Sequence, residues 1–221
     1  MPKAVIFDVD GTLVDSVDLH AHAWVDAFRD YGHQVDFEKV RAQIGKGGDE
    51  LMPVFLSEVE LKRYGEELEN HRRQILKDNY LPRVKGFPKV RELFKRLLDD
   101  GKQIVLASSA KEDELEAYKK AAAIEDLVQD ETSADDAEKS KPHPDIFEEA
   151  IKRLNVHPED VIVVGDTPYD AEAAAKAGLR TVGLLCGGWS DKQLKDAGCI
   201  AIYEDPADLL LQYNKSPLAR D

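Results

Sequence analysis

The chain has 221 residues, with 30 Lys and Arg against 44 Asp and Glu, a formal charge of −14, and 43% hydrophobic and 33% charged residues. That length suits one domain, or one domain with a modest insertion, and a chain of this size buries roughly 70% of its extended surface on folding. The acidic balance argues against a nucleic-acid or anionic-lipid binder, both of which depend on Lys and Arg, but a small phosphorylated ligand needs only a few local positive charges.

The chain opens with Lys3-Ala4-Val5-Ile6-Phe7-Asp8. This apolar run is too short for a signal-peptide hydrophobic region or a membrane span, so a soluble, cytoplasmic protein is expected. Its continuous apolar character over Ala4–Phe7 predicts a strand covered on both faces. Helices are predicted next at Val17–Tyr31, Phe37–Ile44, Asp49–Phe55 and a long polar Glu58–Asn79, with Gly45-Lys46-Gly47-Gly48 as a flexible interruption. An all-helical block of this length between two strands exceeds a single crossover helix, which predicts an inserted domain over 16–82.

From residue 83 the rhythm changes. Further apolar runs at Gln103–Ala107, Val161–Val164, Arg180–Leu185 and Cys199–Tyr203, with a weaker one at Leu127–Gln129, alternate with helical patterns such as Lys89–Leu98 and Asp145–Leu154. Alternating strands and helices predict an α/β fold with a doubly wound parallel sheet built from 1–15 and 83–213. Residues 214–221 show no periodicity and are expected to fray. Cys186 and Cys199 lie far apart with no paired motif, so neither a disulfide framework nor a zinc site is expected.

The chemistry gathers at predicted strand ends, where open α/β sheets carry their ligand crevice. Asp8-Val9-Asp10-Gly11-Thr12 follows the first strand, Ser108-Ser109 follows Gln103–Ala107, and Gly165-Asp166-Thr167-Pro168-Tyr169-Asp170 follows Val161–Val164. Two carboxylates about 4 Å apart repel by roughly 4 kcal/mol at an effective dielectric of 20, so a cluster of them calls for protons or a cation. With no Cys or His in these motifs, an all-oxygen site for a hard cation such as Mg²⁺ is the natural partner. An anionic nucleophile, a cation and hydroxyl donors together suit phosphoryl transfer.

The ordered set Asp8-Val9-Asp10-Gly11-Thr12, Ser108, Lys141-Pro142 and Gly165-Asp166-Thr167-Pro168-Tyr169-Asp170 resembles the haloacid dehalogenase superfamily of phosphotransferases. More narrowly, it is similar to the beta-phosphoglucomutase and phosphoglycolate phosphatase group with a helical cap of the first type. The resemblance implies a Rossmann-like sheet in the order 3-2-1-4-5-6 with the helical cap over its strand ends. It implies Asp8 as the nucleophile that forms an aspartyl phosphate, and Asp10 as general acid and then base. It further implies Mg²⁺ held by the Asp8 side chain, the Asp10 backbone carbonyl and Asp166, with Ser108 bonding a phosphoryl oxygen. Lys141 would neutralise charge, Asp170 would orient it or nearby waters, and Gly11, Thr12 and Ser109 would contact phosphate. The expected reaction is hydrolysis of a small phosphomonoester. The rivals are a phosphosugar mutase on the same core and a non-enzymatic phospho-acceptor module; a receiver-type module is shorter and lacks a helical insertion.

Plainer structural roles compete at several positions. Ser109-x-x-Glu112 reads as a capping box for the following helix, and Thr167-x-x-Asp170 with Pro168 between reads as another. Lys141 is preferred over Lys139 because Pro142 holds it extended, which can aim its side chain into the crevice. His20 and His22 face different ways on one helix; His20 is the candidate for the substrate pocket and His22 for solvent. Lys46 and Gly47 in the Gly45–Gly48 loop are candidate substrate contacts, and the loop lacks the spacing of a P-loop. His71, Arg72, Arg73 and Lys77 are expected on the solvated face of their helix. The oligomeric state and the identity of the phosphorylated metabolite are not legible.

Overall fold

The computed structural model describes residues 2–128, 130–154 and 156–219. Strand β1 (Ala4–Phe7) leads to a two-residue strand β2 (Val14–Asp15), then to helices α1 (Val17–Asp30), α2 (Phe37–Arg41), α3 (Gly48–Leu51) and α4 (Glu58–Ile75). After β3 (Lys85–Gly86) come α5 (Val90–Asp99), β4 (Gln103–Ala107), α6 (Glu112–Ala121), β5 (Asp130–Thr132), α7 (Asp145–Arg153) and β6 (Val161–Gly165). The chain closes with α8 (Pro168–Lys176), β7 (Arg180–Leu184), α9 (Asp191–Asp196), β8 (Ala201–Tyr203) and α10 (Pro206–Leu211).

Strands β5-β4-β1-β6-β7-β8 form one parallel sheet in that spatial order, which is 3-2-1-4-5-6 when its members are numbered along the chain. All four residues of β1 are fully buried, because β4 and β6 flank it and helices cover both faces. Side chains alternate between those faces. Val5, Phe7, Ile104 and Leu106 pack with Leu93, Phe94 and Leu97 of α5, whereas Ala4, Ile6, Val105 and Val163 pack with Ile146, Phe147 and Ala150 of α7. Burying apolar surface at about 25 cal/mol per Å² on two faces is what holds such a sheet.

Helices α1 to α4 share a separate apolar cluster that includes Val17, Trp24, Phe28, Leu51 and Leu68. The block is tethered at both ends by β2 and β3, which pair antiparallel, Val14 with Gly86 and Asp15 with Lys85. Two residues per strand carry no periodicity, so this pair is invisible in the sequence. Gly86 is required there: a Cβ on it would lie 2.7 Å from the Ala122 Cα.

Several expected boundaries move. Helix α4 ends at Ile75 and passes into a π-type turn over Leu76–Tyr80 instead of continuing to Asn79. The segment Asp49–Phe55 divides into α3 and a 3₁₀ turn with Pro53, a residue whose ring removes a backbone donor. The outer strand lies at Asp130–Thr132; Leu127 and Val128 precede it, and Gln129 lies outside the described residues. The end of the chain is not frayed up to Ala219: a 3₁₀ turn at Tyr213–Lys215 leads to Leu218, which is fully buried in the sheet's core. Residues 220 and 221 lie outside the described residues.

Candidate active site

Parallel alignment of β1, β4 and β6 brings their carboxyl ends side by side, and the next residue of each carries the polar group. Asp8 follows β1 and continues its ladder, its N–H donating to Val164 O at 2.9 Å. Beyond it the chain turns sharply, with Thr12, Leu13 and Val14 all donating to Val9 O. Gly11 makes that turn at φ +77°, and a Cβ there would lie 2.5 Å from Asp166 Oδ2. Asp166 follows β6, and Thr167 then starts α8 through a reciprocal cap: Thr167 Oγ1 accepts from Asp170 N–H while Asp170 Oδ2 accepts from Thr167 N–H and O–H.

These turns bring Asp8, Asp166 and Asp170 together, with one carboxylate oxygen from each within 4.8 Å of the others. Lys141, fully buried, lies among them. Its Nζ is 2.5 Å from Asp8 Oδ1 and 2.8 Å from Asp170 Oδ1, and donates to Ala107 O at 3.1 Å. The ammonium thus donates to Asp8 Oδ1 and Ala107 O and is ion-paired with Asp170 Oδ1. Removing this one cation would leave buried carboxylates uncompensated, a loss of about 3–5 kcal/mol. Lys139, by contrast, is exposed. Thr12 Oγ1 sits between Asp8 Oδ2 at 3.0 Å and Asp166 Oδ1 at 2.9 Å and can donate to one of them at a time.

The electrostatics follow from burial. Burial first, then the neighbouring Asp8 charge, raises the Asp166 carboxyl well above its ordinary value. Burial also raises Asp8, against the pull of Lys141. Burial alone would lower Lys141, but Asp170 and Asp8 outweigh it and raise it. Asp166 Oδ2 is buried with no hydrogen-bond partner, as is Asp170 Oδ1, which is instead ion-paired with Lys141. Gly11 and Gly187 leave room beside Asp166 Oδ2, where a Cβ on Gly187 would lie 1.6 Å away. A partnerless carboxylate oxygen in an all-oxygen cradle lined by glycine fits a small hard cation.

The Asp10 carboxylate is not part of that cluster. It accepts from Ser16 Oγ at 2.6 Å and lies 2.9 Å from His20 Nε2, which is also 2.8 Å from the Tyr118 hydroxyl. Burial pushes Asp10 up, yet His20 and then Ser16 more than offset it and hold the carboxyl below its ordinary value. Tyr118 is raised well above its own by burial and then by Asp10, so its hydroxyl stays protonated. Ser16 and Tyr118 give no sequence signal, since each becomes relevant only through a contact across the fold.

Asp8, Asp10, His20, Lys46 and Ser109 line one cavity of about 180 Å³ between the strand ends and the helical block. Gly47 lines it too and packs against Ser140, where a Cβ would meet the Ser140 side chain at 1.9 Å. Ser108 is fully buried beneath it, its Oγ accepting from Ala110 N–H at 3.0 Å. The expected capping role of Ser109 does not hold: α6 begins later, with Lys111 at its N-cap and no side-chain cap. The Lys46 ammonium is held within reach of Gln43 Oε1 at 2.8 Å and over the Tyr169 ring at 4.7 Å. His22 is exposed and stacks near Phe37 and Tyr80.

The solvated-face reading of α4 fails at Arg72 and Arg73. Arg72 is only 9% exposed and lies over the Trp24 ring at 4.9 Å, and both arginines line the cavity. The signal was present, for Arg72 stands four residues from both Leu68 and Leu76, which are buried. That places it on the helix's apolar face.

A family model of haloacid dehalogenase-like hydrolases matches residues 5–184. Among curated relatives, SUPPRESSOR OF QUENCHING 1 of Arabidopsis thaliana is 33% identical over 207 residues, 92% of this chain, which spans only 20% of that longer protein. The phosphorylated carbohydrates phosphatase of Thermotoga maritima is 28% identical over 212 residues, 94% of this chain and 96% of that protein. Among solved structures, a hydrolase from Pseudomonas syringae superposes with a TM-score of 0.87 at 28% identity, covering 96% of this chain and 98% of that one.

Proposed function

The chain belongs to the haloacid dehalogenase-like hydrolase family, and from that premise we propose that it is a phosphatase that hydrolyses a small phosphomonoester through an aspartyl-phosphate intermediate. The observation that carries the reading is the buried cluster of Asp8, Asp166 and Asp170 around Lys141, with one Asp166 oxygen left partnerless. The relative named as a phosphorylated carbohydrates phosphatase agrees with it. The family's divalent cation would be Mg²⁺, held by the Asp8 side chain, the Asp10 backbone carbonyl and Asp166. When bound, it would neutralise the clustered carboxylates and the transferring phosphoryl group.

Asp8 attacks phosphorus, the P–O bond to the leaving alcohol breaks, and Asp10 gives that oxygen a proton. Asp10 then takes a proton from water as the water oxygen attacks the phosphorus of the Asp8 acyl phosphate. This frees phosphate, restores the Asp8 carboxylate and leaves Asp10 carrying the proton for the next turnover. Lys141 holds Asp8 in line and balances charge, Asp170 holds Lys141, and Ser108, Ser109, Gly11 and Thr12 line the phosphate's position. His20 sets the protonation of Asp10 from the first helix of the block. Residues 16–82 act as the cap, and the β2–β3 pair beside Asp15 and Pro82 is a natural place for the hinge on which it opens to solvent. The cavity volume suits a small phosphorylated metabolite.

The test is phosphate release from p-nitrophenyl phosphate with Mg²⁺. Turnover should stop on adding EDTA, return with Mg²⁺, and fall by at least about 10⁴-fold in Asp8→Asn. Release that ignores EDTA, or an active Asp8→Asn protein, contradicts the reading.

A further inference from the structure

The cavity that Asp8 and Asp10 line also carries two arginines, Arg72 and Arg73. Arg72 is more than nine-tenths buried, and its guanidinium rests on Trp24, which also lines the cavity. Its Nε and Nη1, together with Arg73 Nε, are buried without a hydrogen-bond partner. Glu114 Oε1 stands 3.9 Å from Arg72 Nη1 and 3.9 Å from Arg73 Nε, and Asp113 Oδ1 stands 3.7 Å from Arg73 Nη2, all too far for a hydrogen bond. Glu114 thus supplies countercharge while leaving the donors unspent. Of the other acidic groups that line the cavity, Asp49 accepts from Ser140 N–H and Glu69 lies beside Gly48.

Buried charged donors are rarely left unpaired unless something else completes them. Lys46 is not that kind of group, because Gln43 and Tyr169 already engage it. The location is informative as well. Glu114 is one turn of α6 from Tyr118, whose hydroxyl reaches His20 and through it Asp10. The arginines therefore stand on the side of the cavity where Asp10 meets the leaving alcohol.

We propose that Arg72, with Arg73 beside it, is a specificity-determining residue that binds a second anionic group, a carboxylate or a phosphate, carried by the substrate's leaving alcohol. This assignment rests on the phosphatase reading for its orientation, and it narrows the substrate class to phosphomonoesters with an acidic tail.

Three esters of matched size separate the cases: ethyl phosphate, carboxymethyl phosphate and ethane-1,2-diyl bisphosphate. Wild-type protein with Mg²⁺ should favour one or both acidic esters over ethyl phosphate by at least tenfold in kcat/KM, with most of the difference in KM. The favoured acidic ester identifies the tail as carboxylate or phosphate. Arg72→Gln should reduce that ratio to within about threefold, and Arg72→Lys should restore part of it. A wild-type ratio near one, or a ratio undiminished in Arg72→Gln, overturns the proposal. Should Arg72→Gln fail to fold by circular dichroism, the wild-type ratio and Arg73→Gln, whose side chain is 33% exposed, decide it. Calorimetric binding of the same esters to Asp8→Asn separates this idea from the phosphatase reading. Preferential binding without wild-type turnover sinks only that reading, whereas turnover without preference sinks only this proposal.

Discussion

Gly187 has no side chain to contribute, yet the site depends on it. Its backbone passes so close to Asp166 that a single added carbon would overlap the carboxylate. Gly187→Ala must therefore move Asp166, the oxygen that lacks a partner. A ligand that binds only the folded state stabilises it by about 2.7 kcal/mol at a hundredfold excess over Kd. Millimolar Mg²⁺ should accordingly raise the melting temperature of the wild type by several degrees, and both Gly187→Ala and Asp166→Ala should lose that rise. A full Mg²⁺ response in both variants would mean that the ion binds elsewhere. At this scale the motif residues were legible because Asp8 directly follows an apolar run, with Asp10 two residues on, and Asp166 follows Val161–Val164 after a single glycine. Gly187, Ser16 and Tyr118 were not, because each acts on a partner remote in sequence.

Helix α4 shows how an element can mislead. It is polar along most of its length and begins with a full capping box, Ser57 with Glu60, so its composition reads as a solvated helix. Its narrow buried face holds Gly65, Leu68 and Arg72; Leu68 packs in the block's apolar cluster, and Arg72 reaches the cavity. The end of the chain misleads in the opposite direction. Without periodicity it reads as a frayed tail, but Leu218 is inserted into the main core, and the Tyr213 hydroxyl donates to Asp100 at 2.9 Å. Leu218→Ala should destabilise the protein by about 2–5 kcal/mol in urea denaturation, the usual range for emptying a buried leucine site. An unchanged midpoint would show that the contact contributes nothing.

At the scale of the molecule, the helical block is held against the strand ends by polar contacts. The Tyr169 hydroxyl donates to Ala42 O at 2.7 Å, Arg41 Nη2 donates to Gly187 O at 3.3 Å, and Ser140 N–H donates to Asp49 Oδ2 at 3.1 Å. Cys186 follows β7 and Cys199 precedes β8, and both are partly buried. Both are free; burial and then Asp170 push the Cys199 thiol up to about 12, and burial and then Asp166 raise Cys186 further. A raised pKa means that the thiolate is scarce at neutral pH, so reaction with dithionitrobenzoate at pH 8 should be at least about tenfold slower in the native protein than in urea. Fast labelling without denaturant would show that the β7–β8 edge opens. No helix among the described residues is long and apolar enough to cross a membrane.

The parallel α/β class, the helical block between the first two strands and the placement of acidic residues at strand ends were legible in the sequence alone. Each rests on local periodicity or on a residue's place after an apolar run, and such patterns survive without knowing the fold; the strand order came only from the family resemblance. Tertiary structure alone decided that Asp10 turns to His20 and Ser16, that Gly187 passes against Asp166, and that Arg72 faces the cavity with unspent donors. These are consequences of which surfaces meet when helices and sheet pack. A side chain's charge is written in the chain, whereas its burial and its partners come only from neighbours that folding supplies.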